Sequence, residues 1–361
     1  MFQNRISQIA NIILLCCCTT SVFANEKDAY SYLQQLVSVN EGIGVRTSGS
    51  VEEMNTSKFI SNTLRELGFK VKVQPFEFKN KEQYFKSNNI IAELGSNDLP
   101  TIILGAHYDS KGEGSYGAID NGTGVAAMLE IAQIISKSPS RHFNIRFIAF
   151  GAEEIGISGS QYYVKQLTPT ALQNIAGMIN FDMIAGGDKM YVHSALSTPY
   201  PCGKSDSIYN GEPILRKAII KTSESINKSI QFVEHPKSKE YPKGETGPWS
   251  DHFPFSCAGI PIVFLESTNF SINGLYGFDG LSQTNHPAFW DCFDSSSQGA
   301  CDRETENRWG IILHSKFDRL DTIEQVFPKR IKEQLEQAVN LFSTFLLTPE
   351  KYLDNKVIEK T

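Results

Sequence analysis

The sequence predicts an α/β fold, a mostly parallel mixed sheet sandwiched between layers of helices. Two observations predict it. Short apolar runs of strand length alternate along the chain with longer segments of helical periodicity. Several of these runs also lead directly into acidic or histidine side chains, and in open α/β sheets reactive groups collect beyond the carboxyl ends of the strands. With 361 residues, 40% of them hydrophobic, the chain can bury a sizeable core as one large α/β domain or two small ones.

Residues 28–39 and 51–67 space their apolar side chains as helices do, the second running out at Gly68. Val71-Lys-Val and Asn89-Ile-Ile-Ala have strand character, and Thr101-Ile-Ile-Leu-Gly-Ala is an apolar run suited to a buried central strand. A loop rich in glycine follows, from Gly112 to Gly124. Residues 125–136 form an apolar helix, 144–150 a second buried strand, 160–166 a helix and 175–183 a third buried strand. A helix over 212–227, an apolar strand over 260–265 and a long amphipathic helix over 327–346 complete the pattern. Residues 266–313 hold few periodic apolar positions and read as a long loop insertion, and loops of that length are usually functional. Its aromatic residues Tyr276, Phe278, Phe289 and Trp290 form either a lid over an entrance or a surface insertion that packs its own side chains.

The first 24 residues read as a secretory signal peptide: Arg5 gives a positive start, Ile9 to Phe23 an apolar stretch, and Val22-Phe23-Ala24 a cleavage site before Asn25. That stretch is short of the roughly 20 residues a membrane span needs. A lipidated cysteine at Cys16, Cys17 or Cys18 is the rival reading, but none of them follows a small residue. The expectation is export, to the periplasm or beyond, with residues 25–361 as one domain and no stable membrane association after cleavage. The net charge of −6 gives no electrostatic case for nucleic acid or an anionic membrane. Four cysteines remain after cleavage, Cys202, Cys257, Cys292 and Cys301, and an even number in an oxidising compartment favours disulfides. Three pairings are open; a small loop closed by Cys292 and Cys301 would leave Cys202 with Cys257. No CxxC spacing suggests a thiolate zinc site.

The chemistry lies in a set of side chains. The strand before His107 ends in His107-Tyr-Asp109, and Asp120 opens a helix after the glycine-rich loop. The strand ending at Phe150 leads to Glu153-Glu154, the next ends in Asp182, and His314 precedes the closing helix. One such residue alone would be a cap, a salt-bridge partner or a solvated charge. Together they gather like charges at one rim of a sheet, a conflict that bound cations resolve. Two Zn²⁺ bring four positive charges against three carboxylates and two neutral imidazoles, and a bridging hydroxide takes up the remainder. Mixed imidazole and carboxylate ligands suit zinc. Asp120 is the natural bridge, since a carboxylate offers one oxygen to each ion.

Gly105-Ala-His-Tyr-Asp-Ser, Asp120-Asn-Gly-Thr-Gly, Phe150-Gly-Ala-Glu-Glu-Ile-Gly, Asn180-Phe-Asp-Met and the late His314 resemble, in order, the five ligand motifs of the co-catalytic zinc aminopeptidases of the bacterial leucyl-aminopeptidase and aminopeptidase S type. The resemblance covers about residues 86–347. It implies a phosphorylase/hydrolase-like zinc exopeptidase fold acting on peptides or proteins with a free N-terminus. It implies that His107 and Asp182 hold one zinc, Glu154 and His314 the other, and Asp120 both. Glu153 is the implied catalytic base, moving a proton from water to the leaving amine, and Asp109 orients the His107 imidazole. Asp251, in Ser250-Asp-His-Phe-Pro-Phe, and Tyr276 are candidate substrate contacts; His252 is a weaker ligand candidate, and Asp318 a candidate support for His314. Glutaminyl cyclases share this fold and typically use one zinc. The runs His107 to Lys111 and Asp251-His252 resemble theirs as well, so a glutaminyl-peptide cyclotransferase is the alternative, followed by a zinc carboxypeptidase or amidohydrolase. A carboxypeptidase would need a cation for the substrate carboxylate, and no lysine or arginine stands in an assignable motif.

Overall fold

The computed structural model describes residues 26–353 except 95–98, 113, 141, 204–207, 227–231, 238–240, 271–281, 291–292, 295–298 and 301–309. The signal-peptide segment, Tyr276 and Phe278, and the pair Cys292 and Cys301 lie outside the described residues.

Two helices lead in. α1 (Ala29–Val37) is capped by Asp28, which accepts the N–H of Ser31, and α2 (Val51–Glu66) by Ser50, which accepts that of Glu53. A hairpin of β1 (Lys70–Asn80) and β2 (Gln83–Glu93) follows, then β3 (Thr101–His107), α3 (Thr123–Lys137), β4 (Asn144–Phe150), α4 (Ser158–Lys165), α5 (Pro169–Gln173), β5 (Ile175–Phe181) and β6 (Lys189–Ala195). After α6 (Ile214–Ile226) come the short β7 (Phe232–Val233) and β8 (Glu245–Thr246), α7 (Phe253–Ser256) and β9 (Ile262–Thr268). A two-residue pair, β10 (Phe293–Asp294) with β11 (Gly299–Ala300), precedes α8 (Leu320–Val326) and α9 (Arg330–Leu347).

The main sheet runs in the order β1-β2-β4-β3-β5-β9-β6-β7, with β8 on β6. β4, β3, β5 and β9 are mutually parallel and form its centre; β1, β2 and β6 pair antiparallel, so the sheet is mixed as expected. Along β3 the side chains alternate between layers: Ile102, Leu104 and Ala106 pack with α1, α3, α6 and α9, while Ile103 faces the cluster around Tyr163 of α4 and Phe255 of α7. Gly105 is required there, because a Cβ would stand 2.6 Å from the Phe150 ring. This three-layer arrangement anchors the backbone just before His107, Glu153 and Asp182.

The structure adds the short elements α5, β7, β8 and α7 to the sequence reading and differs from it elsewhere as well. β1 and β2 are much longer than the Val71-Lys-Val and Asn89–Ala92 segments; in β1, buried Gln74, Phe76 and Phe78 alternate with exposed neighbours. β6 was not foreseen, because the buried polar side chains of His193 and Ser194 break its apolar run. The closing helix α9 starts at Arg330, three residues later than expected, because Lys329 turns to a φ of 73°, and the short α8 that precedes it was not expected. The segment expected to be loop from residue 266 is strand through Thr268. Within it Phe289 and Trp290 are buried, with Phe289 stacked on Phe327 at 5.5 Å and edge-on to Phe317, so these two aromatic residues belong to the core and not to a lid. Cys202 and Cys257 form a disulfide.

Candidate active site

His107 closes β3. Asp120 sits in the turn Ala118–Gly122 that opens α3, Glu153 and Glu154 follow β4, Asp182 follows β5, and His314 precedes α8. The structure brings all five proposed ligands together as two triads that share one residue. His107, Asp120 and Asp182 form the first, and Asp120, Glu154 and His314 the second; within each, the donor atoms lie within 4.8 Å of one another. His107 Nε2 is 3.3 Å from Asp120 Oδ1 and 3.3 Å from Asp182 Oδ1. His314 Nε2 is 3.0 Å from Asp120 Oδ2 and 3.0 Å from Glu154 Oε2. Asp120 thus turns one oxygen to each triad.

The donor set fits divalent cations. Buried Glu154 Oε1 has no hydrogen-bond partner, and an unpaired buried acceptor costs about 1–3 kcal/mol unless something coordinates it. Carboxylate and imidazole donors in threes match zinc chemistry.

The sequence profile of Peptidase family M28 matches residues 89–339, which span every one of these positions. The chain belongs to this peptidase family. The alkaline phosphatase isozyme conversion protein of Escherichia coli is 26% identical over 82% of this chain and 83% of its own length. Leupeptin-inactivating enzyme 1 of Streptomyces exfoliatus is 28% identical over 86% of this chain but only 60% of its own length. An aminopeptidase of Bacillus subtilis is 34% identical over 51% of this chain and 35% of its own. The fold is that of a zinc aminopeptidase from Bacillus subtilis (TM-score 0.58, 20% identity, 91% of this chain and 95% of that one) and equally of a glutaminyl cyclase from Porphyromonas gingivalis (0.60, 21%, 90% and 97%).

In this family member a second ring of polar residues holds the triads in place. Asp109 is fully buried. Its carboxylate accepts the backbone N–H groups of Glu153 at 3.0 Å and Glu154 at 3.2 Å and the Ser48 hydroxyl at 2.5 Å, and its Oδ1 stands 3.5 Å from His107 Nδ1, an electrostatic contact without hydrogen-bond geometry. The Asn121 amide ties two ligand loops together, donating to Phe181 O and accepting from Gly124 and Met183. Asp318, expected beside His314, instead accepts the Ile119 N–H at 2.7 Å and the Ser115 hydroxyl at 2.9 Å, and so fixes the turn that carries Asp120.

Two supporting residues escaped the sequence reading. Buried Arg46 donates to the carbonyls of Gly44, Tyr108, Tyr116 and Gly117, joining the end of β3 to the glycine-rich loop. No periodicity marks it, since its partners are all backbone. Glu53 accepts from Ser87, Ala152 and Gly49 and braces the loop before Glu153. Here a signal existed: Ser50 and Glu53 have capping-box spacing, but nothing local shows that the glutamate reaches across the molecule.

Burial dominates the electrostatics. It pushes the Glu153 carboxyl well above its usual range; His107 opposes this, and Asp251 and Asp182 reinforce it. Burial and the neighbouring Asp120 lift Glu154 to about 7 against the pull of His314. Burial pulls the His314 imidazole down, but its contacts with Asp120 and Glu154 win and raise it to about 10. Asp251 is fully buried, pushed up to about 7 by burial, with both oxygens lacking hydrogen-bond partners. It is close enough to Glu153 to raise that carboxyl further, and it is not among the described residues lining the cavity. His252 turns away from the triads, with Nε2 2.8 Å from Gly247 O. Lys111 Nζ is 3.6 Å from Glu154 Oε2.

A cavity of about 340 Å³ opens over the triads. Asp120, Glu153, Asp182 and His314 form its polar floor, with Glu266 beside them, and Tyr241, Trp249, Phe264, Phe270, Met183 and Leu313 form its walls. Such a vessel, apolar with a few convergent polar groups, is what a ligand site looks like.

Proposed function

We propose that this chain is an exported two-zinc aminopeptidase that releases the first residue of peptides with a free N-terminus. The observation that carries the reading is the sharing of Asp120 between two three-donor clusters on the floor of one cavity. The family and the aminopeptidase among its relatives support it. His107 and Asp182 would hold one zinc, Glu154 and His314 the other, and Asp120 both. Two zinc ions there would supply Lewis acidity to the scissile carbonyl and lower the pKa of a water. Glu153 takes the proton of the water that adds to the carbonyl carbon and delivers it to the amine nitrogen as the C–N bond breaks. Its burial suits this role, because a carboxyl whose proton affinity is raised above the usual carboxylate range takes up a proton from water more readily. Asp109 fixes the Glu153 and Glu154 backbone and the His107 ring together. Residues 1–24 serve as the signal peptide and residues 25–361 as one catalytic domain; no helix among the described residues is long and apolar enough to cross a membrane.

The likeness to a glutaminyl cyclase is as close in fold as that to the aminopeptidase, so fold does not separate the two activities. The sharing of Asp120 between two three-donor clusters supports the two-zinc reading, since glutaminyl cyclases typically use one zinc. A panel of aminoacyl-anilides with a glutaminyl peptide, run with and without a chelator, decides between them. Chelator-sensitive anilide release supports the aminopeptidase; ring closure of glutamine without anilide release overturns it.

A further inference from the structure

Glu266 lies on β9 beside the triads: the N–H of Asp182 donates to the carbonyl of its neighbour Leu265 at 3.1 Å, and Glu266 lines the same cavity as Asp120, Glu153 and Asp182. It is only 4% exposed. A carboxylate so buried ordinarily has a cation or several N–H donors. This one has His193, whose Nε2 is 2.9 Å from Glu266 Oε1 but off the line of a hydrogen bond, so that Oε1 is left without a partner. Burial first, then His235, His252 and Arg216, pulls the His193 imidazole well down, and burial first, then Asp182, pushes the Glu266 carboxyl well up, so the pair is held short of a compensated ion pair and a cation entering the cavity would favour the ionised carboxylate. No lysine or arginine forms an ion pair with Glu266 among the described residues, and the proposed mechanism gives this carboxylate nothing to do.

The walls around it supply the other half of the argument. Tyr241, Trp249, Phe264, Phe270 and Leu313 make an apolar sleeve, with Tyr241 edge-on to Trp249 at 5.3 Å. A sleeve of this kind with one carboxylate in its wall is complementary to a side chain that has a methylene stem and a cationic head. Aromatic faces also favour a guanidinium or ammonium.

We propose that Glu266 is the specificity-determining residue of this cavity and receives the cationic side chain of an arginine or lysine at the substrate's first position. The proposal rests on the aminopeptidase reading. It needs a test that tells a side-chain cation from the α-ammonium group every such substrate carries.

The hydroxamates of arginine, lysine, citrulline and norleucine provide it. All four share the α-ammonium; citrulline has the shape of arginine without its charge. Their binding to the zinc-loaded protein is measured by calorimetry, for the wild type, Glu266→Gln and Glu266→Asp. A charge-assisted contact predicts that the wild type binds the arginine and lysine compounds about 10- to 100-fold more tightly than the citrulline and norleucine ones. That preference should fall to within about threefold in Glu266→Gln and survive in part in Glu266→Asp. Equal binding of all four to the wild type, or equal weakening of all four in Glu266→Gln, overturns the proposal while leaving the aminopeptidase reading intact. Failure of every hydroxamate to bind overturns both. The same preference in the kcat/KM for the corresponding anilides is the activity counterpart.

Discussion

The Asp109 carboxylate accepts the backbone N–H of Glu153 at 3.0 Å, so the residue beside the first proposed ligand holds the backbone of the proposed base. The same carboxylate takes the N–H of Glu154 and faces His107 Nδ1. One side chain therefore sets the relative position of residues from the ends of β3 and β4, including one ligand of each triad.

Asp109→Asn removes the charge beside His107 and puts an amide N–H against the N–H of Glu153 or Glu154. Changes to the residues behind metal ligands typically cost 10–100-fold in metal affinity. We expect zinc affinity to fall by about that factor, read by titration against a chromophoric chelator. Unchanged affinity would mean that Asp109 serves the fold and not the site.

Glu153→Gln keeps the size of the side chain and removes its ability to take a proton. A positioned base contributes roughly 10²–10⁴-fold. We expect kcat on aminoacyl-anilides to fall within or beyond that range, with zinc content per chain as in the wild type. Loss of zinc together with activity would show that the roles of Glu153 and Glu154 are misassigned.

His252 predicts an acid sensitivity of folding. Burial pulls its imidazole down to about 4, only partly offset by its contact with Gly247 O, against an ordinary value near 6.5. The folded state therefore binds the proton less well than the unfolded state. The stability that neutral His252 confers is complete above about pH 6.5 and is lost as the pH falls toward 4. Linkage puts the loss at about 2 kcal/mol between about pH 7 and pH 5. Urea unfolding at the two pH values should show this component in the wild type and its absence in His252→Asn. An equal drop in both proteins would locate the acid sensitivity elsewhere.

The parts of the molecule that were legible beforehand are those whose signal is local. Buried parallel strands such as Thr101–His107 and Ile175–Phe181 announce themselves as unbroken apolar runs, because both faces of a central strand meet helices. The donors that follow them stand out because acids and histidines rarely interrupt such runs without a reason. What was not legible depends on partners distant in sequence. β6 carries buried His193 and Ser194 and gains its place only by pairing with β9. Arg46 looks like any surface arginine until four carbonyls converge on it. Glu266 looked like the first residue of a loop, whereas it is inside a strand and faces the cavity.

The reading of the whole site depends on Asp120 serving two metal ions at once. The most direct test is zinc stoichiometry, measured by elemental analysis of metal-reconstituted wild type and Asp120→Ala after gel filtration. The account predicts two zinc ions per wild-type chain and loss of tight binding at both positions in the variant. One ion per wild-type chain, or two ions retained without Asp120, would contradict it.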